Sequence, residues 1–156
     1  MVALPLVACE FWFDVRSRGR RLIPELAGAL GVSSIAAMIA LAGDVSQRLE
    51  FGLWLVLEAR VVTAIPFVRA QIARLHGRAV ARAQVALFDV AAMVLAATAV
   101  AVDRPLLAGA VGIILLIVVQ AAASRRPVPK VTVIGVRQTL LGLAVVLVTG
   151  VGVHVG

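Results

Sequence analysis

Along the chain, apolar runs alternate with short polar connections. Six apolar segments can be delimited, at 2–13, 22–43, 50–69, 85–102, 106–124 and 134–153. The last five are close to the roughly 20 residues that cross a 30 Å hydrocarbon layer as helix. The first, within MVALPLVACEFWF, is the weakest. It has no basic residues ahead of its apolar stretch and no clear cleavage site after it, so it reads as a short or incomplete span rather than a cleavable leader. The expected fold is all-α: a single membrane domain over 1–156, forming a polytopic transmembrane bundle of about six helices.

The connections are DVRSRGRR (14–21), DVSQR (44–48), RAQIARLHGRAVARAQ (69–84), DRP (103–105) and RRPVPK (125–130). The first, third and fifth, the last extended to Arg137, hold Arg16, Arg18, Arg20, Arg21, Arg69, Arg74, Arg78, Arg82, Arg125, Arg126, Lys130 and Arg137. The second and fourth hold only Arg48 and Arg104, each offset by a nearby acid, Asp44 or Asp103. Short loops rich in Lys and Arg stay cytoplasmic. The basic loops 14–21, 70–84 and 125–133 are therefore expected inside a bacterial inner membrane, and six spans put both termini outside; if 2–13 does not span, only the N-terminus changes side. Aromatic residues fall at the same boundaries: Phe11, Trp12, Phe13, Phe67 and Phe88 at inner edges, Phe51 and Trp54 at an outer edge. Residues 74–84 suit a short interfacial helix, whereas the two prolines of RRPVPK exclude regular helix there. Small residues spaced for close helix approach recur as Gly28 with Gly31, Ala36 with Ala40, Ala108 with Gly112, and Gly135 with Gly142.

Composition agrees with a membrane protein. Of 156 residues 62% are hydrophobic and 15% charged, against about half apolar and a quarter charged in soluble domains. The net charge of +7 and pI near 11.6 do not imply nucleic-acid binding, because the arginines lie between apolar runs rather than along one face. The expected partners are membrane lipids, with anionic headgroups at the basic loops, and further copies or other subunits in an oligomer. A single cysteine, Cys9, excludes an internal disulfide, and His76 and His154 are far apart in sequence. HExxH, GxSxG, Walker and Asp-rich patterns are missing, so no catalytic residue, metal or cofactor is expected.

The polar groups inside the apolar runs are the candidate chemistry. In FGLWLVLEARVVTAIPFVRA (51–70), Glu58 and Arg60 stand about 200° apart on a helix. They cannot neutralise one another, and an isolated charge at mid-membrane costs at least about 3 kcal/mol. Asp89 is an expected partner for Arg60, offset by roughly 9 Å in depth at 1.5 Å per residue. Glu10, Glu25 and Arg69 are expected to form an inner polar rim. Pro66 removes the bond to the Val62 carbonyl and is expected to kink the span, leaving a carbonyl one turn from Glu58, unless a hydroxyl such as that of Thr63 fills the gap. Glu58 and Arg60 then either fix helix register by pairing across the bundle or form a site that binds or moves something; in both cases they face inward.

Three stretches, RRLIPELAGAL (20–30), GLWLVLEARVVTAIPFVRAQIARL (52–75) and VPKVTVIGVRQTLLGLAVVL (128–147), resemble the YwiC-like family of bacterial integral membrane proteins. The likeness is to the C-terminal part of that family's longer members, whose N-terminal His-Gly-Ala-Trp-type region has no counterpart here, as in a shortened homologue, a fragment or a subunit. It carries no activity with it, and Gln138 stands where members often have an acid. Three functions fit: a transport-like or structural membrane component with an intramembrane polar centre at Glu58, Arg60 and Asp89; an intramembrane enzyme acting on a lipid or isoprenoid, similar in helix content to UbiA-type prenyltransferases but without their Asp-rich motifs; and a non-catalytic subunit that binds other helices.

Overall fold

In a computed structural model, described for Trp12, 22–43 and 46–156, every regular element is helical. These are α1 (Leu22–Ala42), α2 (Gln47–Leu75), α3 (Arg82–Val102), a 3-10 turn (Arg104–Leu106), α4 (Leu107–Ser124) and α5 (Val131–Val155). Against about six expected spans, four segments among the described residues are long and apolar enough to cross a membrane: Gln47–Leu75, Arg82–Val102, Arg104–Ser124 and Val131–Val155. The expected first span, the basic loop 14–21 and Glu10 lie outside the described residues.

The helix ends follow local chemistry. Ser46 caps α2, its hydroxyl accepting from the Leu49 N–H at 3.3 Å, with Glu50 in the first turn where the helix dipole favours an acid. At the other end Gly77 takes φ +68°; its N–H donates to the Arg74 carbonyl and the Arg78 N–H to the Ala73 carbonyl, the double closure a left-handed glycine permits. This corrects two expectations. The third span extends past Arg69 to Leu75, since one face still packs inward through Phe67 and Gln71. The interfacial helix over 74–84 does not form: Gly77 stops α2, residues 78–81 are irregular, and α3 starts at Arg82.

α2 is the hub. It packs against α1, α3, α4 and α5, whereas α1 touches no described helix except α2. In α2's apolar window 56% of residues are buried, against 17% in α3 and α5, so the outer helices turn most of their surface away from the bundle. Leu87, Val94, Leu140 and Leu147 are exposed there, as suits helices whose surroundings are lipid tails. The interior side of α3 is instead Ala92, Ala96 and Ala99, all buried against Leu55, Val56 and Ala59 of α2. Small residues bring backbones close where lipid supplies no hydrophobic drive between helices. α4 and α5 are antiparallel in one register: Gly109 meets Thr149, Gly112 meets Val145, and Gln120 meets Gln138. Of the four spacings noted in the sequence, Gly112 and Gly142 lie at helix contacts, whereas Gly135 faces open space.

Candidate functional site

The polar side chains of the spans converge on α2 from four neighbours. Successive residues 58, 60 and 63 project in different directions, so each meets a different helix. Glu58, 2% exposed, faces α1, where Ser33 donates to Oε1. Ser33 also lies 2.9 Å from the Leu30 carbonyl of its own helix. The second carboxylate oxygen, Oε2, is buried without a hydrogen-bond partner, and one turn earlier the Trp54 indole nitrogen is likewise buried outside hydrogen-bond geometry.

Thr63 faces α3 and α4. Its hydroxyl donates to Asp89 and lies 3.1 Å from the Gln120 side-chain amide, which is 3.4 Å from the amide of Gln138 on α5. A hydroxyl has one proton. With that proton donated to Asp89, the Gln120 contact is satisfied when the amide turns its NH₂ to Thr63; its oxygen then accepts from Gln138 once that amide turns as well and brings round its otherwise unpartnered NH₂. The row Asp89, Thr63, Gln120, Gln138 thus ties four helices together.

Arg60 closes the circuit from the other side of α2. Its Nη2 donates to the main-chain carbonyl of Gln138 at 3.1 Å, and the guanidinium lies flat over Gly142, where any β-carbon would overlap it. Nε is buried and unpartnered. The expectation that Asp89 answers Arg60 is therefore corrected. Asp89 is used by Thr63, and Arg60 instead reaches α5, since their directions around α2 differ and Gly142 opens the space. Glu58 and Arg60 do not pair with each other, as their spacing requires.

Nearer the basic end, Glu25 of α1 and Arg69 of α2 form an ion pair at 2.8 Å. Glu10, expected beside them, lies outside the described residues. α2 remains helical through Pro66, which is buried. The Thr63 hydroxyl is engaged with Asp89 and Gln120 and is not the group that fills the gap at Val62.

A cleft of about 840 Å³ opens at this end, bounded by α1, α2, the 76–81 connection, the start of α3 and α5. Glu25, Arg69, His76, Arg78 and Gln84 line it with Pro66, and Arg60 and Gln138 lie at its inner end. Along α2 it runs from Arg60 to His76, about 24 Å at 1.5 Å per residue. Beside it, Arg74 joins the Gln71 amide to the Arg126 carbonyl, tying the third connection to the fifth.

Ser33 and Gln120 were not among the residues singled out from the sequence. Gln120 had a signal, as the one amide in an otherwise apolar run; Ser33 is small and common enough in spans to carry none. Among the described residues, no group of three or more His, Cys, Asp or Glu is placed to hold a metal ion. No family model matches the chain, nor does any curated protein or solved structure.

Proposed function

We propose that the protein is a multi-pass membrane component of transport-like character, in which Glu58 and the polar row joined to it through α2 form an intramembrane centre that takes up and releases a proton. The observation behind this is the setting of Glu58. It is an acid on the most buried span, with one oxygen held by Ser33, the Trp54 indole N–H approaching the carboxylate from one turn away outside strict hydrogen-bond geometry, and no ion pair to any cation among the described residues. A carboxyl group in that setting is a binding position for a cation, and the proton is the cation that needs no further ligands. The cleft brings open space from the basic end as far as Arg60, which stands on the opposite face of α2 from Glu58, so the proton reaches Glu58 past the packed side chains between them. We place that end at the cytoplasmic face of a bacterial inner membrane, because it gathers Arg74, Arg78, Arg82, Arg125, Arg126 and Lys130 while Arg48 and Arg104 stand at the other. The likeness to the YwiC-like family is part of the same reading and supplies no competing activity.

A second function, an intramembrane enzyme acting on a lipid or isoprenoid, draws on the same arginine-lined cleft. It requires turnover of a bound lipid, which the transport-like function does not.

The test is proton movement in vesicles holding an entrapped pH-sensitive dye. Wild-type protein should dissipate an imposed pH gradient faster than protein-free vesicles. Glu58→Gln, which preserves shape and the Ser33 contact, should return the rate to the protein-free level with the amount of folded protein unchanged. A variant that lowers only the folded amount, with flux per folded molecule intact, would show that Glu58 merely holds helices together.

A further inference from the structure

The guanidinium of Arg60 sits inside the bundle with no anion among the described residues. The acids of those residues are each accounted for: Glu25 pairs with Arg69, Glu58 accepts from Ser33 on another face, Asp89 accepts from Thr63, and Glu50 and Asp103 stand at the opposite end. What Arg60 has is one carbonyl, which satisfies a hydrogen bond and leaves the charge. An uncompensated charge in the apolar layer is costly, and guanidinium is the side chain whose planar fork best matches a tetrahedral or carboxylate anion. The cation is also reachable. Arg60 lines the 840 Å³ cleft, a volume within the roughly 300–1,000 Å³ typical of small-molecule sites. Between Arg60 and exposed Arg78 at the opening, the walls are mostly apolar, with Ile65, Ile72 and Val85 among them.

Among the described residues neither Arg60, at the inner end, nor Arg78, at the mouth, has a carboxylate partner, so the cleft offers an anion one cation to enter past and one to end on. The opening lies at the end where the basic connections gather, the level at which a bilayer presents phosphate. We propose that this cleft admits a phosphate-bearing anion, drawn in past Arg78 at the mouth and held by Arg60 at the inner end. The proposal rests on the membrane placement above but not on proton movement at Glu58, so each can fail alone.

The full chain, purified in detergent, is titrated with phosphatidylglycerol, with phosphatidylcholine and with inorganic phosphate, and bound molecules are counted by native mass spectrometry. One phosphatidylglycerol per chain is expected to be retained in preference to phosphatidylcholine. Arg60→Gln should weaken retention by roughly tenfold, the scale of one lost charge-assisted contact, and Arg78→Gln should weaken it less but measurably, by removing the charge at the entrance. Arg125→Gln, at the same end but outside the cleft, should leave it unchanged. Should Arg60→Gln fold poorly, exposed Arg78 still decides the outcome. Saturable uptake of inorganic phosphate that competes with the lipid and is lost in the same variants would assign the site to free phosphate. Binding that survives both cleft substitutions, that falls equally with Arg125→Gln, or that is absent for every phosphate compound would overturn the proposal.

Discussion

Thr63 has a single hydroxyl proton and stands between a carboxylate and an amide, so its loss should be felt beyond its own size. Thr63→Val keeps the shape but removes the one hydrogen bond that the Asp89 side chain makes among the described residues, together with the Gln120 contact to α2. Polar contacts between membrane helices average about 0.6 kcal/mol, and stranding a fully buried acceptor costs about 1–3 kcal/mol; Asp89 is half-buried, so the loss falls toward the lower end of that range. Thr63→Val should therefore lower the melting temperature measurably in detergent, and Thr63→Ser should recover most of it; equal losses in both would show that the methyl group matters, not the hydroxyl. At this scale Glu58, Arg60 and Asp89 were legible in the sequence, because charge inside an apolar run identifies itself. Their partners were not. Ser33 and Gln120 are neutral, and the exchange of Asp89 for the Gln138 carbonyl as the group that meets Arg60 depends on helix rotation and on Gly142, which spacing along one strand of sequence does not set.

The faces of α3 separate two kinds of position that hydropathy alone treats alike. Ala96, 2% exposed, lies against α2, while Val94 faces outward. Ala96→Leu should force α2 and α3 apart and cost about 1–3 kcal/mol as overpacking, whereas Val94→Leu should be close to neutral; thermal unfolding of the two variants makes the comparison, and equal effects would contradict the assignment of faces. The four long apolar helices among the described residues were readable because apolar length suffices to find them. Their ends were less so. Arg69 and Arg74 suggest that the third span has finished, yet Phe67 and Gln71 keep packing inward, and the helix stops only where Gly77 adopts a left-handed conformation. The 74–84 segment has the composition of an interfacial helix, but composition does not say which glycine closes the preceding one.

For the whole molecule, consecutive helices run antiparallel in a bundle centred on α2, and the proposed orientation rests on the charge asymmetry of their connections. Single cysteines introduced at Gly77 and Arg125, in a chain with Cys9 replaced, should be shielded from a membrane-impermeant maleimide in intact cells, while a cysteine at Ser46 or Asp103 should react. The reverse pattern would invert the orientation, and reaction at both ends would remove the membrane placement. Placing the hydrogen-bonded row, the Arg60 contact and the cleft in one molecule gives a path from the basic end into the bundle, with Glu58 on the far side of α2 from Arg60. Whether that centre carries charge is tested most directly by transient current on a solid-supported membrane after a pH step. Wild-type protein is expected to give a charge displacement that Glu58→Gln abolishes while its Ser33-linked packing and folded yield persist. An identical displacement in Glu58→Gln, or none in either protein, would contradict the assignment of Glu58 as the group that takes up the proton.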